Sequence, residues 1–195
     1  MSEQTLSLKK ISQPANLAEW LVVLITVVAL LLGWALMTSV QSRSVPLQVE
    51  GISAGIPAGW MSTKPEGSEV FRVSDPNTGG FATTYLVETF PVAKESTASQ
   101  AATFLGSTHS QSLDGYRVLD QNLVTVYGQQ AYELKYVFVD SNPNLTHDIY
   151  PVVVLGVDYI YIKDGRAIVA SYWAEKEAYQ AGLGRFQRFL GTLKY

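Results

Sequence analysis

The sequence contains no cysteine and only two histidines, His109 and His147. The lack of cysteine excludes a disulfide framework and thiolate catalysis, but it leaves the redox compartment open because a domain of this size folds without disulfides in either. No G-x-S-x-G motif accompanies the histidines, so no hydrolase triad is recognisable. With a net charge of −3 the chain also lacks the basic excess that nucleic-acid binding requires.

Neither histidine lies in a pattern typical of a cofactor or metal site. His109 follows Leu105 by four residues, on the apolar side of a predicted helix, and we interpret it as a partly buried structural residue. His147 adjoins Asp148 in a predicted loop, whereas stable metal sites usually have three or four ligands. We therefore predict no catalytic residue, no metal and no cofactor.

One apolar run, WLVVLITVVALLLGWALMTSV, extends from Trp20 to Val40 without a charged residue. As a helix it measures about 31 Å, which matches a bilayer hydrocarbon thickness of about 30 Å. A cleaved signal has a shorter apolar core and a small-residue cleavage motif, and ALMTSVQS shows no such motif. We therefore predict a retained transmembrane helix over residues 17–40, which makes the lipid bilayer a partner of this chain.

The charges that flank this run predict its orientation. Lys9 and Lys10 precede it and only Arg43 follows it, so the positive-inside rule places the N-terminus in the cytoplasm. The predicted organisation is a cytoplasmic tail, the span, a short linker and one extracytoplasmic domain (residues 1–16, 17–40, 41–46 and 47–195).

A stripe of small side chains lies on one face of the span. Thr26, Ala29 and Gly33 share this face at helical spacing. Small residues allow the backbone of a second helix to approach closely in lipid. We predict that this face packs against a partner helix, although such spacing also arises by chance.

After the linker, β-rich segments dominate. The order is strands, one helix near residues 95–113 capped by Ser96 or Thr97 and weakening after Gly106, four strands, and a closing amphipathic helix over 175–195. Asp164-Gly165 is the favoured dipeptide of a type I′ hairpin turn. Because most connections are of hairpin length, we predict an α+β fold in which helices cover an antiparallel sheet.

Five short motifs occur in an order that resembles the PsbP family, the extrinsic proteins of photosystem II and their bacterial relatives. They are GIPAGW (55–60), FRVSDP (71–76), YRVL (116–119), YGQQAYELKY (127–136) and RFQRFLGTLK (185–194). The resemblance covers about residues 47–195. It implies a PsbP-like α/β/α sandwich with a non-enzymatic role beside a membrane complex, and it assigns no binding residue.

The leading hypothesis is a membrane-anchored accessory subunit or adaptor that docks on and stabilises a larger membrane protein complex. Candidate partner contacts are aromatic, because Tyr and Trp are favoured at interfaces: Tyr150, Tyr159, Tyr161 and Trp173. The alternative is a tethered binding module for a small apolar or lipid-like ligand, held in a pocket beneath the closing helix. A pilin-like subunit and an enzyme are the other readings, and each lacks its characteristic motif.

Overall fold

The computed structural model describes residues 15–41, 43–141 and 151–195. The chain divides into two compact units, residues 1–43 and 44–195. The first contains helix α1 (Ala15–Gln41). The second contains the remaining elements: β1 (Ser44–Val49), β2 (Ile52–Pro57), β3 (Met61–Thr63), β4 (Glu69–Ser74), β5 (Thr84–Pro91), α2 (Ala98–Ser112), β6 (Arg117–Val126), β7 (Gln129–Asp140), β8 (Val152–Lys163), β9 (Arg166–Glu175) and α3 (Lys176–Leu190).

Helix α1 is long and apolar enough to cross a membrane. Its window Trp20–Met37 has a mean hydropathy of 2.6, and all of these side chains are exposed. The Thr26 hydroxyl donates a hydrogen bond to the Val22 carbonyl at 2.9 Å, so it does not remain an unpaired donor within the helix.

The domain is built on an antiparallel seven-stranded sheet with the order β3-β4-β5-β9-β8-β7-β6. Asp164 and Gly165 both have positive φ (51° and 72°), and Lys163 pairs with Arg166 across the turn. This geometry confirms the predicted hairpin, since a type I′ turn needs positive φ at both central residues.

The two helices cover opposite faces of this sheet and form separate cores. Helix α3 contributes Phe186 and Phe189 to an aromatic layer with Tyr85 and Tyr172. Helix α2 contributes apolar residues to the other core, where they meet β5, β7, β8 and β9: Ala101, Ala102 and Leu105. The predicted α+β sandwich is therefore confirmed, and both faces of the central strands are buried.

Both helices differ in length from their predictions. Helix α2 begins at the predicted cap, where the Thr97 hydroxyl accepts the Gln100 N–H, and it continues past Gly106 because Leu105 and His109 are buried against the sheet. Helix α3 ends at Leu190 rather than 195. Beyond it, the backbone of Lys194 exchanges two hydrogen bonds with Ser53 of β2.

The segment after α1 contains a hairpin where one strand and a linker are predicted. Strand β1 begins at Ser44, inside the predicted linker 41–46, and pairs with β2 as a separate two-stranded sheet. The alternating segment LQVEGIS (47–53) predicts a strand directly after the linker, but Glu50 and Gly51 within it have positive φ (50° and 82°), so the chain turns there. Pro46 is tolerated because β1 is an edge strand.

Candidate functional site

Four polar side chains form a hydrogen-bonded cluster between α2 and the sheet, which we name the α2 cluster: His109, Tyr136, Asp158 and Trp173. His109 Nε2 lies 3.0 Å from Asp158 Oδ2, and the Tyr136 hydroxyl donates to Asp158 Oδ1 at 2.9 Å. The Trp173 indole N–H donates to the Tyr136 hydroxyl at 2.6 Å. Asp158 is fully buried and therefore depends on these partners for its solvation.

The strand register explains why these side chains meet. Asp158 lies directly opposite Ser171 of β9, and Gly156 lies opposite both Tyr136 and Trp173. Opposed residues of an antiparallel pair point to the same face, which here is the face that α2 covers. A β-carbon at Gly156 would overlap the Tyr136 ring, so the glycine lets this ring lie flat against β8.

Burial and charge act against each other on His109. Burial lowers its pKa, but the hydrogen bond and charge of Asp158, with the charge of Glu88, outweigh that effect and raise the pKa above its ordinary value of 6.5. Burial also raises the pKa of Glu88, which lies on the same face of β5. Tyr116 packs beside His109, and burial raises its pKa to about 12.

Both raised pKa values predict a domain that is more stable in mild acid. A folded state that binds the His109 proton more tightly is favoured below about pH 6.5, and this stabilisation is lost as pH rises through the raised pKa. The raised pKa of Glu88 also makes the folded domain less stable as pH rises, but this effect begins at a lower pH because a carboxyl group ordinarily titrates below histidine. We expect the Tm advantage of the wild type over His109→Gln to shrink as pH rises from about 6.5, the ordinary pKa of histidine, into the alkaline range. An advantage that stays constant over this range would contradict the proposed charge pairing.

The α2 cluster ties a helix to the sheet rather than presenting an acid and a base to solvent. His109 and Asp158 are buried, and the surface grooves described below are lined by other residues. Within residues 15–41, 43–141 and 151–195, no three His, Asp or Glu side chains are placed to share a metal ion. The predicted pair His147 and Asp148 lies outside these residues.

The structure corrects the predicted partner-contact aromatics. Tyr159 and Tyr161 are each 5% exposed and lie in the α3 core, while Trp173 is 8% exposed in the α2 cluster. The prediction that these three form an exposed patch is wrong, because β8 and β9 are central strands with a helix over each face. Tyr150 lies outside the described residues.

An aromatic side chain is instead exposed on α2, where this helix lies beside the end of β5. Phe104 on α2 is 59% exposed and its ring lies 5.3 Å from that of Phe90. These two rings line an apolar groove of about 340 Å³ that also includes Pro91 and Val92. On the other side of α2, a groove of about 500 Å³ includes Leu123, Tyr132 and Ile162.

A third groove, of about 550 Å³, lies where the residues after α3 meet the β8–β9 turn. Its lining includes Gln129, Lys163, Lys194 and Tyr195. Lys163 donates to the main-chain oxygen of Tyr195, and the Tyr195 hydroxyl donates to Gln129. These contacts join the last residues of the chain to two strand ends.

The edge strand β6 carries three further exposed apolar side chains. Val118, Leu119 and Leu123 are exposed, and Leu123 has 64% of its surface accessible. Among the described strands only β7 pairs with β6, so its outer edge has backbone groups that no described strand satisfies. Sequence reasoning missed this surface because YRVLDQNLVTVYG reads equally well as a central or an edge strand.

Packing between α1 and a partner helix is not tested by the described residues of one chain. Thr26, Ala29 and Gly33 lie on α1 and are exposed, and nothing lies near a β-carbon built on Gly33 within the described residues. The face stays a prediction.

No protein-family model and no curated protein matches the sequence. The solution structure of cyanobacterial PsbP (CyanoP) from Synechocystis is similar, with a TM-score of 0.55 and 15% sequence identity; the match covers 78% of this chain and 92% of that chain.

Weaker matches have a TM-score of 0.49 each. The Ran-binding protein Mog1p of Saccharomyces cerevisiae is 11% identical, and the match covers 77% of this chain and 94% of that chain. LpqN of Mycobacterium tuberculosis, involved in cell envelope biogenesis, is 12% identical, and the match covers 79% of this chain and 87% of that chain. Similarity at this level adds nothing to the assignment of the fold. The antiparallel sheet between two helices, together with the likeness to CyanoP, shows that the domain of residues 44–195 has the PsbP-like fold.

Proposed function

We propose that this protein is a membrane-anchored, non-catalytic accessory subunit that docks on and stabilises a larger membrane protein complex. The observation that carries the proposal is α1, whose window Trp20–Met37 is strongly apolar, contains no charged residue and is fully exposed. About 18 apolar residues without a charge span the hydrocarbon core of a bilayer, and exposing them to water would cost far more than a marginally stable domain contributes. The proposed retention of this helix distinguishes the chain from a secreted domain.

The proposed topology follows from the basic residues around α1. Lys9 and Lys10 on one side and Arg43 on the other favour a cytoplasmic N-terminus and an extracytoplasmic domain. A tethered domain has a high effective concentration beside other membrane proteins, so a weak contact suffices for docking. This reasoning supports an adaptor whose affinity for its partner in solution is low.

The edge of β6 is the surface that we propose for a partner subunit. An extended segment of another protein can pair with the free edge of a sheet, and apolar side chains along that edge then supply specificity. Strand β6 is ten residues long and exposes Val118, Leu119 and Leu123. A long exposed apolar edge is typical of an interface rather than of bare surface.

A charge on this edge is expected to release the protein from its complex. In membranes extracted with mild detergent, the wild type should migrate on a native gel with a large assembly whose subunits mass spectrometry identifies. Val118→Lys/Leu123→Lys should weaken this association about tenfold or more. The reason is that the loss of an apolar anchor from an interface costs at least about 1 kcal/mol of binding free energy. Met61→Lys, on the opposite edge strand and 62% exposed, is the matched control and should leave migration unchanged. A wild type that migrates as a lone monomer would contradict docking.

The alternative, a tethered module for an apolar or lipid-like ligand, is favoured by the groove that Phe90 and Phe104 line. Its volume of about 340 Å³ is in the lower range for small-ligand sites. It lies beside α2, whereas the space beneath α3, where a pocket is predicted, is filled by the rings of Tyr85, Tyr172 and Phe186. Native mass spectrometry of the purified protein distinguishes the two functions, since a ligand-binding module should carry a bound lipid at stoichiometric occupancy.

A further inference from the structure

The turns and strand ends around the residues after α3 form one surface, which we name the turn end. It comprises the β8–β9 turn (163–166), the segment after β5 (91–95), the β6–β7 turn (127–128) and residues 191–195. The Val92 N–H donates to the Gly165 carbonyl at 2.9 Å, and Lys163 and Gln129 both contact Tyr195. These contacts make the turn end a continuous part of the folded domain.

The turn end is basic in a domain that is otherwise acidic. After Arg43 the chain has 11 Lys and Arg against 15 Asp and Glu. At the turn end four exposed basic residues meet two acidic ones: Lys94, Lys163, Arg166 and Lys194 against Glu95 and Asp164. Among the described residues none of the four cations pairs with an Asp or Glu side chain. Lys163 donates to the main-chain oxygen of Tyr195, but no carboxylate side chain among the described residues neutralises the four charges, so they can attract an external anion.

Exposed aromatic side chains lie at the turn end and next to it. Tyr127 is 65% exposed at the β6–β7 turn, and the groove that the exposed Phe104 lines also includes Val92 of the turn end. Basic residues combined with exposed aromatic side chains are typical of surfaces that rest on a membrane interface, where rings insert at headgroup level and cations meet lipid phosphates. A soluble anion would need the cations but not the rings.

The first residue of β1, which follows α1 closely in the sequence, lies beside the turn end. Ser44 and Thr192 both lie against Gly55, and the Gly55 N–H donates to the Thr192 hydroxyl at 2.8 Å, so Ser44 lies beside the turn end. Helix α1 ends at Gln41, and three residues of extended chain reach at most about 11 Å. Along the chain, only residues 42 and 43 therefore separate the end of the proposed span from this part of the domain.

From the charge, the exposed rings and the short tether, we infer that the turn end rests on the bilayer that holds α1 and binds its anionic phospholipid headgroups. This inference depends on the anchor that we propose above. Each basic residue near an anionic surface should strengthen the contact roughly fivefold. The contact would fix the orientation of the domain and leave β6 accessible to a partner subunit.

Because the chain has no cysteine, a single introduced cysteine can carry a fluorescent label for the test. Ala93→Cys places the label at the turn end, and Gly79→Cys places it on the exposed loop at the other end of β5. The full chain is incorporated into nanodiscs of phosphatidylcholine, alone or mixed with phosphatidylglycerol, that contain nitroxide-labelled headgroups as quenchers.

We expect strong quenching at Ala93→Cys and little at Gly79→Cys. Phosphatidylglycerol should increase the quenching, and high salt should reverse the increase. Lys163→Gln/Lys194→Gln should remove most of the phosphatidylglycerol effect, whereas Arg117→Gln/Lys176→Gln, at the other end of the strands, should preserve it.

Four outcomes would overturn the inference. Equal quenching at the two labels, or no response to phosphatidylglycerol, shows that the turn end does not contact headgroups. Quenching that follows protein density rather than lipid composition assigns the surface to a second copy of the chain. If alkaline washing removes the chain from native membranes, the proposal of a membrane anchor is wrong. Failure of the anchor can therefore be distinguished from failure of the headgroup contact alone.

Discussion

Asp158→Ala is expected to lower the free energy of unfolding of the domain by about 3–5 kcal/mol, the usual cost of removing one partner from a buried pair. Asp158 is fully buried and receives hydrogen bonds from Tyr136 and from the His109 ring. Its removal takes away the acceptor of the Tyr136 O–H and the partner of His109 Nε2 in the α2 core, and each unsatisfied buried group costs about 1–3 kcal/mol. Since small domains are stable by only about 5–15 kcal/mol, the variant should be close to unfolding.

Denaturant unfolding of the full chain in detergent micelles, followed by tryptophan fluorescence, measures this effect. Asp120→Ala is the matched control: Asp120 is exposed and lies 3.6 Å from Lys135, so its loss should cost less than about 1 kcal/mol. Asp158→Asn should give an intermediate value because it keeps an acceptor for Tyr136 but loses the charge opposite His109. Equal costs for Asp158→Ala and Asp120→Ala would show that the α2 cluster does not stabilise the fold.

Leu30→Arg/Leu31→Arg is expected to abolish membrane retention. An arginine at the centre of a transmembrane helix costs about 2.5–3.5 kcal/mol, and each replaced leucine also removes a favourable contribution of about 0.5 kcal/mol. Two such changes exceed what the other apolar residues of α1 contribute. Leu30→Ala/Leu31→Ala, the control, shortens the same side chains without adding charge and should remain in the membrane. A double-arginine variant that still resists extraction by alkaline carbonate would contradict a transmembrane role for α1.

Local patterns were enough to predict the features that local chemistry determines. Asp164-Gly165 predicts a hairpin because few other residues accept positive φ twice in succession, and the register confirms the turn. The apolar stripe of α3 is confirmed through Leu190, where it contacts the sheet. The layered fold follows from these elements because apolar helix faces must be buried against a sheet.

Features that depend on distant pairing could not be predicted. His109 and Asp158 are 49 residues apart, and nothing in the helix pattern around His109 indicates its partner. One signal was present, because Asp158 interrupts the strand VVVLGVDYIYI and a carboxylate in a central apolar strand needs a buried partner. Likewise, the strand order that buries Tyr159 and exposes Leu123 is decided by the whole sheet and not by either segment.

The buried α2 cluster and the two exposed surfaces have complementary roles in the proposed function. Hydrogen bonds within the cluster hold α2 firmly against the sheet. A rigid sheet presents β6 to a partner in one fixed geometry, which lowers the entropy cost of docking. Headgroup contact at the turn end would orient the same sheet relative to the bilayer, so that a weak interface becomes sufficient.

The intact mass of the mature protein recovered from native membranes tests the central claim most directly. Retention of α1 predicts a mature polypeptide that still contains residues 20–37 and stays in the membrane fraction after an alkaline wash. A mature polypeptide that begins near residue 40 and is recovered in the soluble fraction would contradict the anchor, and with it both the proposed adaptor function and the headgroup contact.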